Sequence, residues 1–141
     1  MENKIIENYH YLESGLEYVF IKKVKAINTK YGRSINIPNV KELHEKIAFA
    51  ILKNNIPLRG KELRFLRKTS GITQVDLANL LNVGQSTIAN WEGKDIDQLI
   101  DHSHAYFLQQ FFREKYGLSI LGPSSMAKQM NDLEDVFKIA V

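Results

Sequence analysis

Between Gly60 and Trp91 the apolar residues fall into three short helical patterns. Leu63, Leu66 and the adjacent Phe65 give the first an inner face. Leu77, Ala78 and Leu81 give the second, over Gln74–Leu81, the i, i+1, i+4 spacing of a half-buried helix. The third runs from about Gln85 to Trp91 with Ile88 and Trp91 on one side. Thr73 is placed to cap the second helix, and Asp76 puts a carboxylate in its first turn, where the helix dipole favours one. Between Ile88 and Trp91 and around them stand Ser86, Thr87, Ala89 and Asn90, small or amide-bearing and free of acid. This is the composition of a helix whose outer face meets base edges.

Upstream the period changes from helical to alternating. Tyr18–Ile21 is aromatic and β-branched, and Val24, Ala26 and Thr29 nearly alternate with Lys23, Lys25 and Asn28. A turn at residues 30–33 and a short returning strand from Ser34 to Ile37 complete a β-hairpin. Such a hairpin is marginal in water and must pack on a neighbour. The neighbour is the next segment: Asn39 is a suitable N-cap with Glu42 three residues on, and Val40, Leu43, Ile47, Ala50 and Ile51 share a helical face. Pro57 interrupts the chain before the next helix. The first eight residues offer no clear element.

Downstream, Asp95 to Tyr116 reads as one long helix with more apolar residues than one face can hold: Ile96, Leu99, Ile100, Phe107, Leu108, Phe111 and Phe112. Part closes the helical core, and the surplus, Phe107, Phe111 and Phe112, is expected to meet a second copy of the chain. After Gly117, a final helix from Ser125 has Met126, Met130, Leu133, Val136, Phe137 and Ala140 as its stripe. The organisation is therefore 1–57 (hairpin and helix), 58–117 (DNA-binding domain) and 118–141 (linker and C-terminal helix). The fold class is mainly α, with a five-helix core between the hairpin-plus-helix segment and the last helix.

The middle of the chain resembles the Cro/repressor, or XRE, type of helix-turn-helix. The matching residues are Gly71-Ile72-Thr73-Gln74, Leu77-Ala78, Val83, Ser86-Thr87-Ile88 and Trp91-Glu92-Gly93. The turn departs from that pattern, with Asn82 where the family usually has glycine; Asn tolerates the left-handed conformation that such a turn requires. The resemblance implies a lambda-repressor-like domain that inserts its second motif helix into the major groove of double-stranded DNA. A looser resemblance, in YHYLESGLEYVFI, Ile37-Pro38 and residues 58–68, is to regulators of the YgiT/MqsA type, which hold zinc with cysteines and often act as antitoxins. This chain has no cysteine, so the resemblance implies a metal-free relative, and it carries over the regulator role but not the antitoxin role.

Charge sharpens this picture. Net charge is +3, but residues 59–94 hold six Lys and Arg against three Asp and Glu, while residues 95–141 hold four against seven. The cations Arg64, Arg67 and Lys68 beside the motif, with Lys94 after it and Gln74 at the start of its first helix, are candidate phosphate contacts. Gln85, Ser86, Thr87 and Asn90 are the candidate base readers, amides pairing with adenine and the Thr87 methyl touching thymine. The 44% hydrophobic and 25% charged content describes a soluble globular chain, expected in the cytoplasm. It carries no secretory pattern and no apolar run long enough for a membrane. Of the histidines, His102 and His104 are two apart and point to different sides of a helix, and His10 and His44 are isolated. No nucleotide-binding loop, metalloprotease motif or nucleophile–base pattern is present, so no enzyme, metal or cofactor is expected. The expectation is a homodimeric regulator; the alternative is an antitoxin that neutralises a protein toxin through its hairpin and first helix.

Overall fold

The computed structural model describes residues 3–120, 122 and 139–140. Three antiparallel strands and five α-helices follow in the order β1 (Asn3–His10), β2 (Val19–Thr29), β3 (Gly32–Asn36), α1 (Val40–Lys53), α2 (Gly60–Thr69), α3 (Gln74–Leu81), α4 (Gln85–Glu92) and α5 (His102–Lys115). A short strand β4 (Ile139–Ala140) pairs parallel with β2 at Val19 and Phe20. In the sheet β2 is central, with β1 along one side and β3 along the outer half of the other.

The expected hairpin is present as β2 and β3, closed by a two-residue turn in which Thr29 faces Gly32. The third strand, β1, was not expected from the sequence. Its register pairs Glu7 with Lys23 and Tyr9 with Ile21, and skips Asn8, which is left-handed at φ 53°. Opposite that kink the inward face of β2 changes parity, from Val19 and Ile21 to Val24 and Ala26, leaving Lys22 and Lys23 both exposed.

The sheet packs on α1. Asn39 caps this helix, its side chain accepting from the Glu42 N–H at 3.0 Å. Leu43, Ile47, Ala48, Ile51 and Leu52 are buried, while Val40, expected on the same face, is 45% exposed. From there one core runs without a break through Leu58, Leu63, Leu66, Leu77, Ile88, Ile100, Leu108 and Phe112. Polar groups of α5 also pin the end of α1 and the segment after it. Buried Arg113 of α5 donates to the carbonyl oxygen of Leu52 (2.6 Å), to Asn55 Oδ1 (2.9 Å) and to the Ser119 carbonyl (2.6 Å). Burial lowers the pKa of this guanidinium, and these acceptors hold its protons. Gln109 reaches the Ile56 carbonyl at 2.9 Å.

Three expectations are corrected. Asp95–Tyr116 is not one helix: α5 starts at His102 behind an Asp101 cap, and residues 93–101 are irregular. Those residues supply acceptors for the start of α2, with Gly60 N–H donating to Gln98 (3.2 Å) and Lys61 N–H to Ile96 (3.0 Å). Ile100 N–H returns to Leu58 at 3.0 Å. Satisfying the first amides of α2 thus outweighs the helical spacing of Ile96, Leu99 and Ile100. The core expected to hold five helices has four within residues 58–117, α2 to α5, and the fifth helix, α1, precedes it. Ala140, expected on a helix, lies in β4; the rest of the expected C-terminal helix, with Met126, Met130, Leu133, Val136 and Phe137, falls outside the described residues.

Candidate nucleic-acid interface

Helices α3 and α4 have the boundaries that their sequence signals predict. The Thr73 hydroxyl accepts the Asp76 N–H at 3.1 Å, and α3 ends at Asn82 in the left-handed region, φ 56° and ψ 45°. That conformation lets Asn82 N–H close the helix and turns the chain into α4, which begins behind Gly84. Leu77, Ala78 and Ile88 are buried where the two helices cross. Trp91 is half-buried, its ring 5.4 Å from that of His104.

With Ile88 turned inward, the opposite face of α4 stands free. Gln85, Ser86, Ala89 and Asn90 are exposed, and Thr87 is half-buried. These positions, at i, i+1, i+4 and i+5, make one continuous outer strip. No acid lies in the first turn, and Gly84 has no side chain to occupy the first amides of the helix. The strip thus offers the Gln85 amide and the Ser86 hydroxyl beside the positive end of the helix dipole, with the Asn90 amide further along, in the last turn.

The base of this helix is held by a buried ion pair. Arg67 Nε and Nη2 donate to Glu92 at 2.7 and 2.8 Å, and Nη1 donates to the Ile72 carbonyl at 2.9 Å. The two side chains are only 12% and 3% exposed. Arg67 was expected among the phosphate contacts; the structure turns it inward and commits its donors to Glu92 and Ile72. Gln74 is half-buried and its amide donates to Glu92 at 3.3 Å, a bond that uses one of its two N–H donors. Lys94 is exposed just after α4. Arg64 and Lys68 are exposed too, but on another face of α2, where they border a hollow against the N-terminal segment.

The expected dimer residues separate in the same way. Phe112 is fully buried, so it has no surface to give a second subunit, because closing the core requires its ring. Phe111 is half-buried against it, the rings 5.2 Å apart. Phe107 remains 43% exposed and Leu99 38%.

Sequence reasoning missed the group that fixes the start of α2. Glu62, the single acid in a basic helix, is fully buried. Its carboxylate accepts the Arg59 backbone N–H (3.0 Å), Arg59 Nε (2.7 Å) and Nη2 (2.8 Å), and the Tyr18 hydroxyl (3.1 Å). Although burial opposes the charge of Arg59, Glu62 and Glu17 hold it protonated; burial and the Glu62 charge push the Tyr18 hydroxyl well above the ordinary phenol range. The available signal was the position of Glu62, third in its helix, where a carboxylate can reach back to the amide before it.

Residues 63–92, from the middle of α2 to the end of α4, match the helix-turn-helix family model. The match covers the motif and does not extend to the sheet or α1. It supports reading the chain as a DNA-binding transcriptional regulator. No curated protein and no solved structure gives a significant match. Among the described residues no helix is long and apolar enough to cross a membrane, and no group of three acidic or histidine side chains could hold a metal.

Proposed function

We propose that this chain is a sequence-specific transcriptional regulator that binds an inverted-repeat operator as a homodimer and represses or autoregulates, acting by binding and not by catalysis. The observation that carries the reading is the outer strip of α4: Gln85, Ser86 and Asn90 are exposed on a helix whose opposite face is anchored by Ile88 and Glu92. A rigidly seated helix with free amides is what reading base edges in a major groove requires. Thr87 is more enclosed and contributes at most its methyl edge. Gln74 and Lys94, flanking the strip, are the phosphate contacts of this proposal. Leu99 and Phe107 are the apolar remainder that a second copy would cover.

The test is operator selection from random duplexes, followed by titration of variants on the selected and a scrambled duplex. Gln85→Ala and Asn90→Ala are each expected to lose about 1–3 kcal/mol on the selected site and little on the scrambled one. Lys94→Ala is expected to weaken both alike and to reduce the salt slope by about 0.9. Wild-type affinity for the selected duplex in both amide variants would remove α4 as the reader. Sedimentation of the free protein tests the dimer, and a monomer on the duplex would refute it.

A further inference from the structure

One face of α2 takes no part in the arrangement just proposed. Lys61, Phe65 and Lys68 succeed one another at four- and three-residue spacing, with Arg64 beside them, so their side chains leave the helix on one side. Arg67 leaves toward Glu92, about 100° round the helix from Lys68. The Lys61–Lys68 face instead borders a hollow of about 350 Å³ whose other walls are the turn at residues 13–15, His44 of α1 and Ile96.

The lining is cationic at its mouth and apolar at its floor. Arg64 and Lys68 are exposed, and among the described residues neither has an ion-pair partner. Lys61 is shared between Asp97 at 2.5 Å and Glu17 at 3.6 Å. The one carboxylate of the wall, Glu13, already accepts the Tyr9 hydroxyl at 2.6 Å. Below them Phe65 is 7% exposed, and the edge of His44 meets it with ring centres 5.3 Å apart. His44 Nε2 is engaged by the Tyr11 hydroxyl at 2.9 Å, and burial lowers its pKa, so the floor is uncharged at neutral pH.

From this lining we infer that the hollow is a binding site for a small organic phosphate monoester, its dianionic head on Arg64 and Lys68 and its apolar body on Phe65 and Ile96. The volume lies within the range of small-molecule sites, and an apolar body lets the ligand use the floor as well as the charges. A phosphodiester of DNA would use only the rim. Ile96 and Asp97 belong to the segment that follows α4, and the Ile96 carbonyl accepts Lys61 N–H. Occupancy is therefore linked to the seat of α4, a consequence that rests on the DNA-reading assignment above; binding to the free protein does not.

The probe is phenyl phosphate, titrated calorimetrically into the free full-length protein, with phenol as the uncharged control. Saturable binding of phenyl phosphate and none of phenol is expected. Arg64→Gln with Lys68→Gln should weaken it by at least about tenfold, with an unchanged circular dichroism melt confirming the fold. Absence of saturable binding by wild type, or equal binding by the double variant, overturns the site. The same double variant, titrated with duplex at several salt concentrations, is expected to keep the wild-type salt slope. A slope flattened by about 1.8 would instead assign both cations to DNA phosphates and overturn the proposal. If the free protein binds phenyl phosphate while α4 variants leave DNA binding intact, the site stands and only the DNA-reading assignment falls.

Discussion

Arg67 and Glu92 meet through two parallel N–H···O contacts, 2.7 and 2.8 Å long, that join the last turn of α2 to the last residue of α4. Nearly all of both side chains is out of water, so each charge depends on the other. Removing one partner strands the other in the interior. Arg67→Ala is expected to cost about 3–5 kcal/mol, and Glu92→Leu combined with Arg67→Met less than either single change. Urea unfolding of the three variants, compared by midpoint at constant m, measures this. The DNA salt slope of whatever Arg67→Ala protein remains folded should match wild type, since this guanidinium faces inward.

A second close contact sits at the other end of α2. A Cβ built on Gly60 would collide with the Trp91 carbonyl and lie 2.9 Å from Ile96 Cα. These obstacles are backbone, which cannot turn aside as a flexible side chain would. Gly60→Ala is expected to destabilise the protein by about 1–3 kcal/mol or more, although alanine has the higher helix propensity. A thermal melt at or above the wild-type midpoint would refute the contact.

The turn between α3 and α4 gives the opposite expectation. Asn82 is left-handed, a conformation glycine adopts freely and a β-branched residue resists. Asn82→Gly should change stability by only a few tenths of a kcal/mol, and Asn82→Val should lower it by about 1–2 kcal/mol. The pair is read by chemical denaturation. Equal loss in both variants would show that the Asn82 side chain, rather than its backbone, is what the turn requires.

His44 supplies a pH dependence. Burial lowers its pKa below the ordinary 6.5, so the folded protein favours neutral imidazole and the unfolded chain binds the proton more readily. The contribution is fully present above the unfolded value and is lost as pH falls through the folded one. The His44 ring resonances should titrate with a midpoint under 6.5. Stability should fall on acidification from neutral pH, and less steeply in His44→Asn. A midpoint above the ordinary value would reverse the sign and exclude this account.

How far the sequence could be read follows from how local each signal was. Thr73, Asn82 and Gly84 act within a few residues of themselves, and α3 and α4 have the boundaries these residues predict. Asn39 does the same for α1. In strand β1 the apolar Ile5, Ile6 and Tyr9 are broken up by Glu7 and the left-handed Asn8, so no alternation marks it; its order comes from pairing with β2. The parity change opposite Asn8 interrupts the alternation of β2 between Ile21 and Val24, but the aromatic and β-branched run Tyr18–Ile21 still marks where the strand starts. The segment 93–101 misled for the converse reason: its apolar spacing is helical, but amides more than thirty residues earlier claim its carbonyls. The strip Gln85, Ser86 and Asn90 was legible because a face is a matter of helical spacing. The inward turn of Arg67 was not, because a guanidinium beside a motif looks the same whether it seeks a phosphate or a buried carboxylate.

The buried Glu62 bears on how such a regulator can be taken apart. Its donors come from Arg59 and from Tyr18, which lies beyond α1 in the N-terminal segment, and Glu17 next to it braces Arg59 at 2.6 Å. The part that resembles a free-standing reading head therefore keeps one of its hydrogen-bond donors in a different part of the chain. Grafted onto a foreign scaffold from residue 58 onward, it would carry a carboxylate in its interior with the tyrosine left behind. The head is not an interchangeable cartridge: exchanging only the outer strip of α4, the reader in the function proposed above, leaves the Glu62 contacts intact, where exchanging the whole domain does not.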